Sequence, residues 1–272
     1  MADRPSSLRL LARQIEYQHR VFWRTPIAAI FTVAFPLMLL VLFAALYSGD
    51  TVQFAGRPPV KFVQFAAPSL AAFAAASATY TNLAITTSSA RDLGLLKRFR
   101  GTPLPPWILL GGRLGSSVVL AVQAVVLMLG VGILVYGIDL QVSHVPAALM
   151  TFGVGVAVFA ALGLAVAGLA RSAESAQAIA NFTILPLAFI SDVFIPVADP
   201  PRWMEVLGGI FPLKHFVRGF HDAFSPVAGI GLRWGSLLVM AAWGVGALLV
   251  ALRSFGWEPR GSTKRRRRAA AG

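Results

Sequence analysis

Few of the side chains that do chemistry in proteins occur here, and none stands where a reaction inside a membrane would need it. There is no cysteine, so disulfides, thiolate nucleophiles and thiolate metal sites are excluded. The four histidines, His19, His144, His215 and His221, fall in segments that flank or connect long apolar runs. Hydrolysis within the bilayer is thereby left without a base or a ligand set. No Asp, Glu, Lys, Arg or His lies in the central part of an apolar run. Ionisable groups at that depth cost about 2.5–3.5 kcal/mol or more each and are retained where protons or ions move. A proton-coupled carrier and a channel with charged rings are both disfavoured. The four lysines, Lys61, Lys97, Lys214 and Lys264, follow no glycine-rich turn, and no G-x-x-x-x-G-K-[ST] run is present. The chain cannot cradle nucleotide phosphates by that loop, so active transport would draw its energy from a separate subunit.

One segment is shaped to receive such a partner. Residues 88–106, Ser88 to Pro106, form a short basic stretch between two apolar runs. From Ser88 to Arg100 only Gly94 interrupts a helical reading, and Asp92 is the one acid. At helical spacing Leu95, Leu96 and Phe99 share a face, while Arg91, Lys97, Arg98 and Arg100 occupy the others. Gly101-Thr102-Pro103 stops the helix, and Pro105-Pro106 keeps the backbone extended. The pattern predicts a compact amphipathic helix for docking; a plain basic connector is the alternative.

The elements around it follow from composition. At 57% hydrophobic and 13% charged residues, with mean hydropathy +0.71, a soluble domain of 272 residues could not hide the apolar surface. Lipid could. An all-α integral membrane fold with six spans is expected, at about 26–47, 62–87, 114–136, 146–170, 176–194 and 232–252. Residues 1–25 are expected to carry an interfacial helix, in which Leu8, Leu11, Ile15 and Phe22 oppose Arg9, Arg13, Glu16 and Arg20. The first apolar run is too long for a signal-peptide core and reads as a retained span, kinked at Pro36. Gly153, Ala157, Ala161 and Ala165 make a small-residue stripe for close packing in the fourth span. Residues 195–230 are too polar and proline-rich to cross and read as a re-entrant outer segment, with Trp203, Phe216 and Phe220 at the interface. Mild polar groups on the spans, Gln64, Ser77, Tyr80, Asn82, Gln123, Asn181 and Thr183, are pathway candidates or, equally, interhelical hydrogen-bonding groups.

Charge placement sets the topology. With the amino terminus inside, 18 of the 24 Lys and Arg residues face the cytoplasm, Arg113 among those of the basic loop, and six face out. Both termini are therefore expected in the cytoplasm. The net charge of +13 then lies wholly against the inner leaflet, and nucleic acid is not needed to explain it. The tail 253–272 carries Arg265, Arg266, Arg267 and Arg268, expected to contact anionic lipid.

The run Leu96-Lys97-Arg98-Phe99-Arg100-Gly101-Thr102-Pro103-Leu104 resembles the cytoplasmic coupling segment of ABC type-2 transporter permeases. Arg24-Thr25-Pro26 and Phe35-Pro36-Leu37 resemble that family's opening span. Farther on, Leu185-Pro186-Leu187, Ser191, Phe194-Ile195-Pro196, Pro201-x-Trp203 and Phe211-Pro212-Leu213 resemble the fifth span and outer hairpin. The departures are Asp92 for Glu, Leu95 for Thr, His215 for Tyr, and Ser69 and Asp192 where Gly is frequent. At Asp192 the close backbone approach of a glycine is expected to be lost. The resemblance implies the permease half of an exporter in a prokaryotic cell membrane. Two permease subunits, alike or unlike, would pair, and two ATP-binding subunits would bind ATP and Mg and push on residues 91–100. No cofactor would reside in this chain, which would not itself be an enzyme. The cargo implied is a drug, antibiotic or lipid; polysaccharide export, or a facilitator or scaffold not coupled to ATP, are the alternatives.

Overall fold

Backbone polar groups that leave water must satisfy one another, and here helices do so almost throughout. The computed structural model describes residues 6–26, 30–52, 59–101, 105–194, 200–222, 224, 231–254 and 256, without the side chains of Phe31, Phe99 and Arg100. In chain order come α1 (Ser7–Trp23), a π-helical turn (Ile30–Ala34) and α2 (Phe35–Leu46). An antiparallel ribbon follows, β1 (Thr51–Val52) with β2 (Val60–Lys61), and then α3 (Phe62–Asp92), α4 (Leu95–Arg100) and α5 (Pro106–Tyr136). A 3-10 turn (Val142–His144) leads into α6 (Val145–Leu169); α7 (Ala173–Ile190), α8 (Arg202–Ile210), α9 (Pro212–Asp222) and α10 (Trp234–Ser254) complete the chain.

Among the described residues five helices, α3, α5, α6, α7 and α10, are long and apolar enough to cross a membrane. The architecture is the expected all-α membrane type. The first apolar run gives a shorter helix, Thr32–Leu46, and the expected span 26–47 includes residues outside those described. Pro36 stands at the start of α2, directly after the π turn. A proline has no N–H to give the preceding turn, and the local widening is its consequence.

α3 is the hub. α2, α5, α6, α7 and α9 all pack on it, and 83% of its most apolar window is buried, against 28% for α5. Alanine makes this possible: Ala66, Ala67, Ala71, Ala72, Ala75 and Ala76 are all at most 1% exposed, so neighbours come close on every side. α6 reaches it at Gly163, where a Cβ would stand 2.6 Å from the Tyr80 carbonyl oxygen.

The tight contacts of α6 differ from the expected stripe. Gly153 has nothing near it and, with Ala157, is exposed. Ala165 packs with Ala247 and Ala251 of α10, and Ala161 joins that cluster. The close approaches fall on Gly155 against Phe216, Gly163 against α3 and Gly168 against Ser254. Seen from the sequence, a spacing of four marks one helix face but not which neighbour it meets.

α1 is seated on α5. Gly111 and Gly115 of α5 lie under Leu11 and Ile15, and a Cβ on Gly112 would come within 2.9 Å of the Gln14 Cβ. Phe22 is buried too, whereas Leu8 is 76% exposed, so the apolar stripe faces protein from Leu11 onward.

Candidate functional site

The expected docking helix is bent, not continuous. α3 runs on to Asp92, and Gly94, at φ 67° in the left-handed region, turns the chain into the six-residue α4. Glycine is the residue that takes this backbone without a Cβ clash. The bend divides the expected apolar face. Leu96 is fully buried in a small cluster with Ala90 and Leu109, whereas Leu95 is exposed with Lys97 and Arg98. The side chains of Phe99 and Arg100, and residues 102–104, lie outside the described residues.

Arg91, expected on the faces that Lys97 and Arg98 share, turns inward, and Asp92 beside it is exposed but reaches a neighbouring helix. Arg91 is 2% exposed, and its Nη1 and Nη2 donate to the carbonyl oxygens of Ala167 (2.7 Å) and Ala170 (2.8 Å). Those carbonyls are orphans at the end of α6, where a helix carries partial negative charge. Asp92 Oδ2 accepts from the Ala173 N–H (2.6 Å) at the start of α7, the positive end. The two side chains, with Arg91 Nε 3.6 Å from Asp92 Oδ1, grip both sides of the α6–α7 turn. Ser172 and Ser175 close that turn with a reciprocal capping box. The last turn of α3 is thereby fastened to two other spans.

The seven polar candidates on the spans fall into two groups. Tyr80 Oη meets Thr183 Oγ1 at 2.6 Å, joining α3 to α7, and Asn82 Nδ2 donates to Ser117 Oγ (3.1 Å), joining α3 to α5. Gln64 donates to the carbonyl oxygens of Asp139 (2.9 Å) and Phe224 (2.8 Å) and accepts from the Asp139 N–H (3.0 Å). It fixes two connections at the far end of α3. Ser77 is half-buried on α3, Asn181 is exposed on α7, and Gln123 is exposed on α5 with its amide nitrogen 3.3 Å from His19 Nε2.

At the end of the bundle opposite α4, the chain after α7 turns through Ser191 and Asp192. Ser191 is buried, its hydroxyl without a partner among the described residues, and Asp192 has φ 58°. Only glycine, and to a lesser extent Asn or Asp, takes that backbone readily. The backbone angle by itself accounts for the glycine that the resemblance leads one to expect here. The aspartate adds a function: its Oδ2 lies 3.5 Å from Lys214 Nζ, itself 1% exposed, and 3.4 Å from Arg218 Nη2. A second ion pair joins Asp222 to Arg233. Pro212 is buried where α9 begins, while Pro186 in α7 and Trp203 in α8 are exposed; Pro196 lies outside the described residues, as do Arg265, Arg266, Arg267 and Arg268. Phe216 and Phe220, expected at the interface, are buried, with Phe216 against Gly155 of α6. Trp243 Nε1 donates to the Ile210 carbonyl oxygen (2.7 Å), and His215 pairs with Ser236, so the α8–α9 segment is tied to α10.

Residues 10–225 match the family of ABC-2 type transporters. The chain belongs to that family. It is 30% identical over 237 residues to the daunorubicin resistance ABC transporter permease protein DrrB1 of Streptomyces coeruleorubidus, covering 85% of this chain and 78% of that protein. It is 27% identical over 179 residues to the putative transport permease YvfS of Bacillus subtilis, covering 64% and 70% of the two chains. Against the probable multidrug ABC transporter permease YbhR of Escherichia coli K12 it is 22% identical over 183 residues, covering 66% of this chain but about half, 49%, of that protein.

Among the described residues of this ABC-2 permease, one cation stands apart from every expected site. Arg113 was expected in the basic loop, but α5 begins at Pro106, and the guanidinium is 7% exposed inside the bundle. Its Nη1 donates to the Thr86 carbonyl oxygen at 2.6 Å. An earlier helix start could have been read from Pro105-Pro106, since proline is favoured at the first helical position.

Proposed function

We propose that this ABC-2 permease is the membrane-spanning half of an ATP-driven exporter, powered through the bend between α3 and α4. The observation that carries the reading is mechanical. α4 presents Leu95, Lys97 and Arg98 outward, while the last turn of α3 grips α6 and α7 through Arg91 and Asp92. A push on α4 thus reaches three spans as one body, in the manner of rigid-body switching. A separate ATP-binding subunit, one per permease of a pair, binds ATP and Mg and supplies the push. α2 with the residues before it serves as the remaining span, both termini face the cytoplasm of a prokaryotic cell, and the arginine tail meets anionic lipid. The cargo is hydrophobic or amphiphilic: the relative is named for daunorubicin resistance, and Tyr80 and Thr183, which join α3 to α7, are uncharged.

The test is co-expression with an ATP-binding subunit of this transporter class. Lys97→Glu with Arg98→Glu should abolish co-purification and ATP-dependent anthracycline uptake by inverted vesicles, with membrane insertion intact. Leu96→Glu is the wrong probe, since its side chain is buried and the bend itself would fail. Undiminished association of the double variant, or uptake driven by a proton gradient alone, would refute the proposal.

A further inference from the structure

We propose that Arg113 is the base of a binding site for the phosphate group of an anionic phospholipid, between α1, α3 and α5. A guanidinium carries five N–H donors and a charge that does not titrate away in proteins. When buried it calls for an anion or a full set of acceptors. Among the described residues Arg113 has one acceptor, the Thr86 carbonyl, and no carboxylate; its Nε is buried with no partner. Beside it, Gln14 of α1 lies against Gly112, the residue before Arg113, and the Gln14 amide nitrogen is likewise buried and unpartnered. Two orphan donors, one charged, are therefore held by neighbouring residues at the place where the glycines of α5 admit α1. A phosphate oxygen is the acceptor that suits both.

The surroundings favour a lipid as its source. Near Gln14 on α1, Tyr17 is 58% and Val21 41% exposed; near Arg113 on α5, Trp107 is 51% and Leu114 38% exposed. Arg13 and Arg20 are exposed on the same helix as Tyr17. Aromatic and aliphatic side chains exposed beside cations are the composition of a membrane interface, where anionic headgroups gather. The inference does not depend on ATP coupling, and it holds for the permease alone.

The experiment uses the purified full chain in neutral detergent, titrated with phosphatidylglycerol or with the phosphate-free diacylglycerol of the same acyl length. Phosphatidylglycerol should raise the melting temperature saturably and slow amide exchange in residues 11–23 and 106–116. Arg113→Gln should weaken that binding at least about tenfold, the loss of one charge-assisted contact. Arg20→Gln should leave it within about threefold, as expected of an exposed charge. Should Arg113→Gln fail to fold, the exchange pattern of the unmodified chain decides alone. Equal effects of the two lipids, protection elsewhere, or unaltered binding by Arg113→Gln would overturn the proposal. So would the same protection from inorganic phosphate alone, which assigns a soluble anion. Protection at 106–116 that arises only when an ATP-binding subunit is added would assign a protein partner, and likewise overturn it.

Discussion

Replacing Arg91 by alanine should loosen the α6–α7 turn far more than it loosens the rest of the protein. The guanidinium donates to two carbonyl oxygens, of Ala167 and Ala170, both belonging to residues 2% exposed. A hydrogen bond from a charged group contributes about 1.5–3 kcal/mol, so the pair could supply up to roughly 6 kcal/mol. Water entering the vacated space would recover part of this, leaving a loss of about 3 kcal/mol, or on the order of 100-fold in the opening equilibrium. Arg91→Lys presents a single ammonium in place of a fork, keeps one contact at best, and should give about tenfold. Amide hydrogen exchange of the detergent-solubilised protein reads this directly: amides 170–176 should accelerate by those factors, while α5 and α10 change little. Asp92→Asn is the internal control, since it keeps an acceptor for the Ala173 N–H and removes only the charge. Should Arg91→Ala change exchange at 170–176 by less than about threefold while the whole molecule melts earlier, the side chain stabilises only the bundle at large. The grip on the turn would then not exist.

Two further outcomes follow from the ion pair and from α1. Asp192→Ala should cost about 3–5 kcal/mol in unfolding experiments, because it strands the buried Lys214 ammonium, with further strain from alanine at positive φ. Asp192→Gly with Lys214→Met should recover most of that loss; if it does not, the pairing is not what the aspartate supplies. His19 accepts from Trp23 Nε1 (3.0 Å) through Nε2, and burial holds its pKa below the ordinary 6.5. The unfolded or undocked helix then binds the proton more readily, so the seat of α1 is fully stabilised above pH 6.5 and weakens as pH falls below it. With the intrinsic pH dependence of amide exchange divided out, protection across 7–23 should fall between pH 7 and 5, and His19→Gln should flatten the profile; a wild-type protection profile without slope would dismiss the effect.

Much of the scaffold was legible in the sequence. Long apolar runs have one stable solution in lipid, which is why a helical membrane fold could be expected and why α3, α5, α6, α7 and α10 are long and apolar enough to cross. The basic segment was legible as special, and so was Gly94 as its one weak point. What periodicity could not supply was the destination of each polar side chain. Arg91 and Lys97 look alike in a helical projection, but one ends on the carbonyls of another helix and the other in the open. Arg113 counted as a loop charge until the helix start moved back to Pro106. Asp192 showed as a departure from a glycine, and its partners, 22 and 26 residues on, could be found only once α9 had folded back over the turn.

The glycine seat on α5 has a consequence for how the protein is made. α1 leaves the ribosome before α5, and Gly111 trails Leu11 by 100 residues. At ordinary rates of synthesis, about 5–20 residues per second, its berth arrives roughly 5–20 seconds later. Through that interval the nascent α1 can only wait at the membrane surface, and a chain arrested before α5 emerges has nowhere to put it.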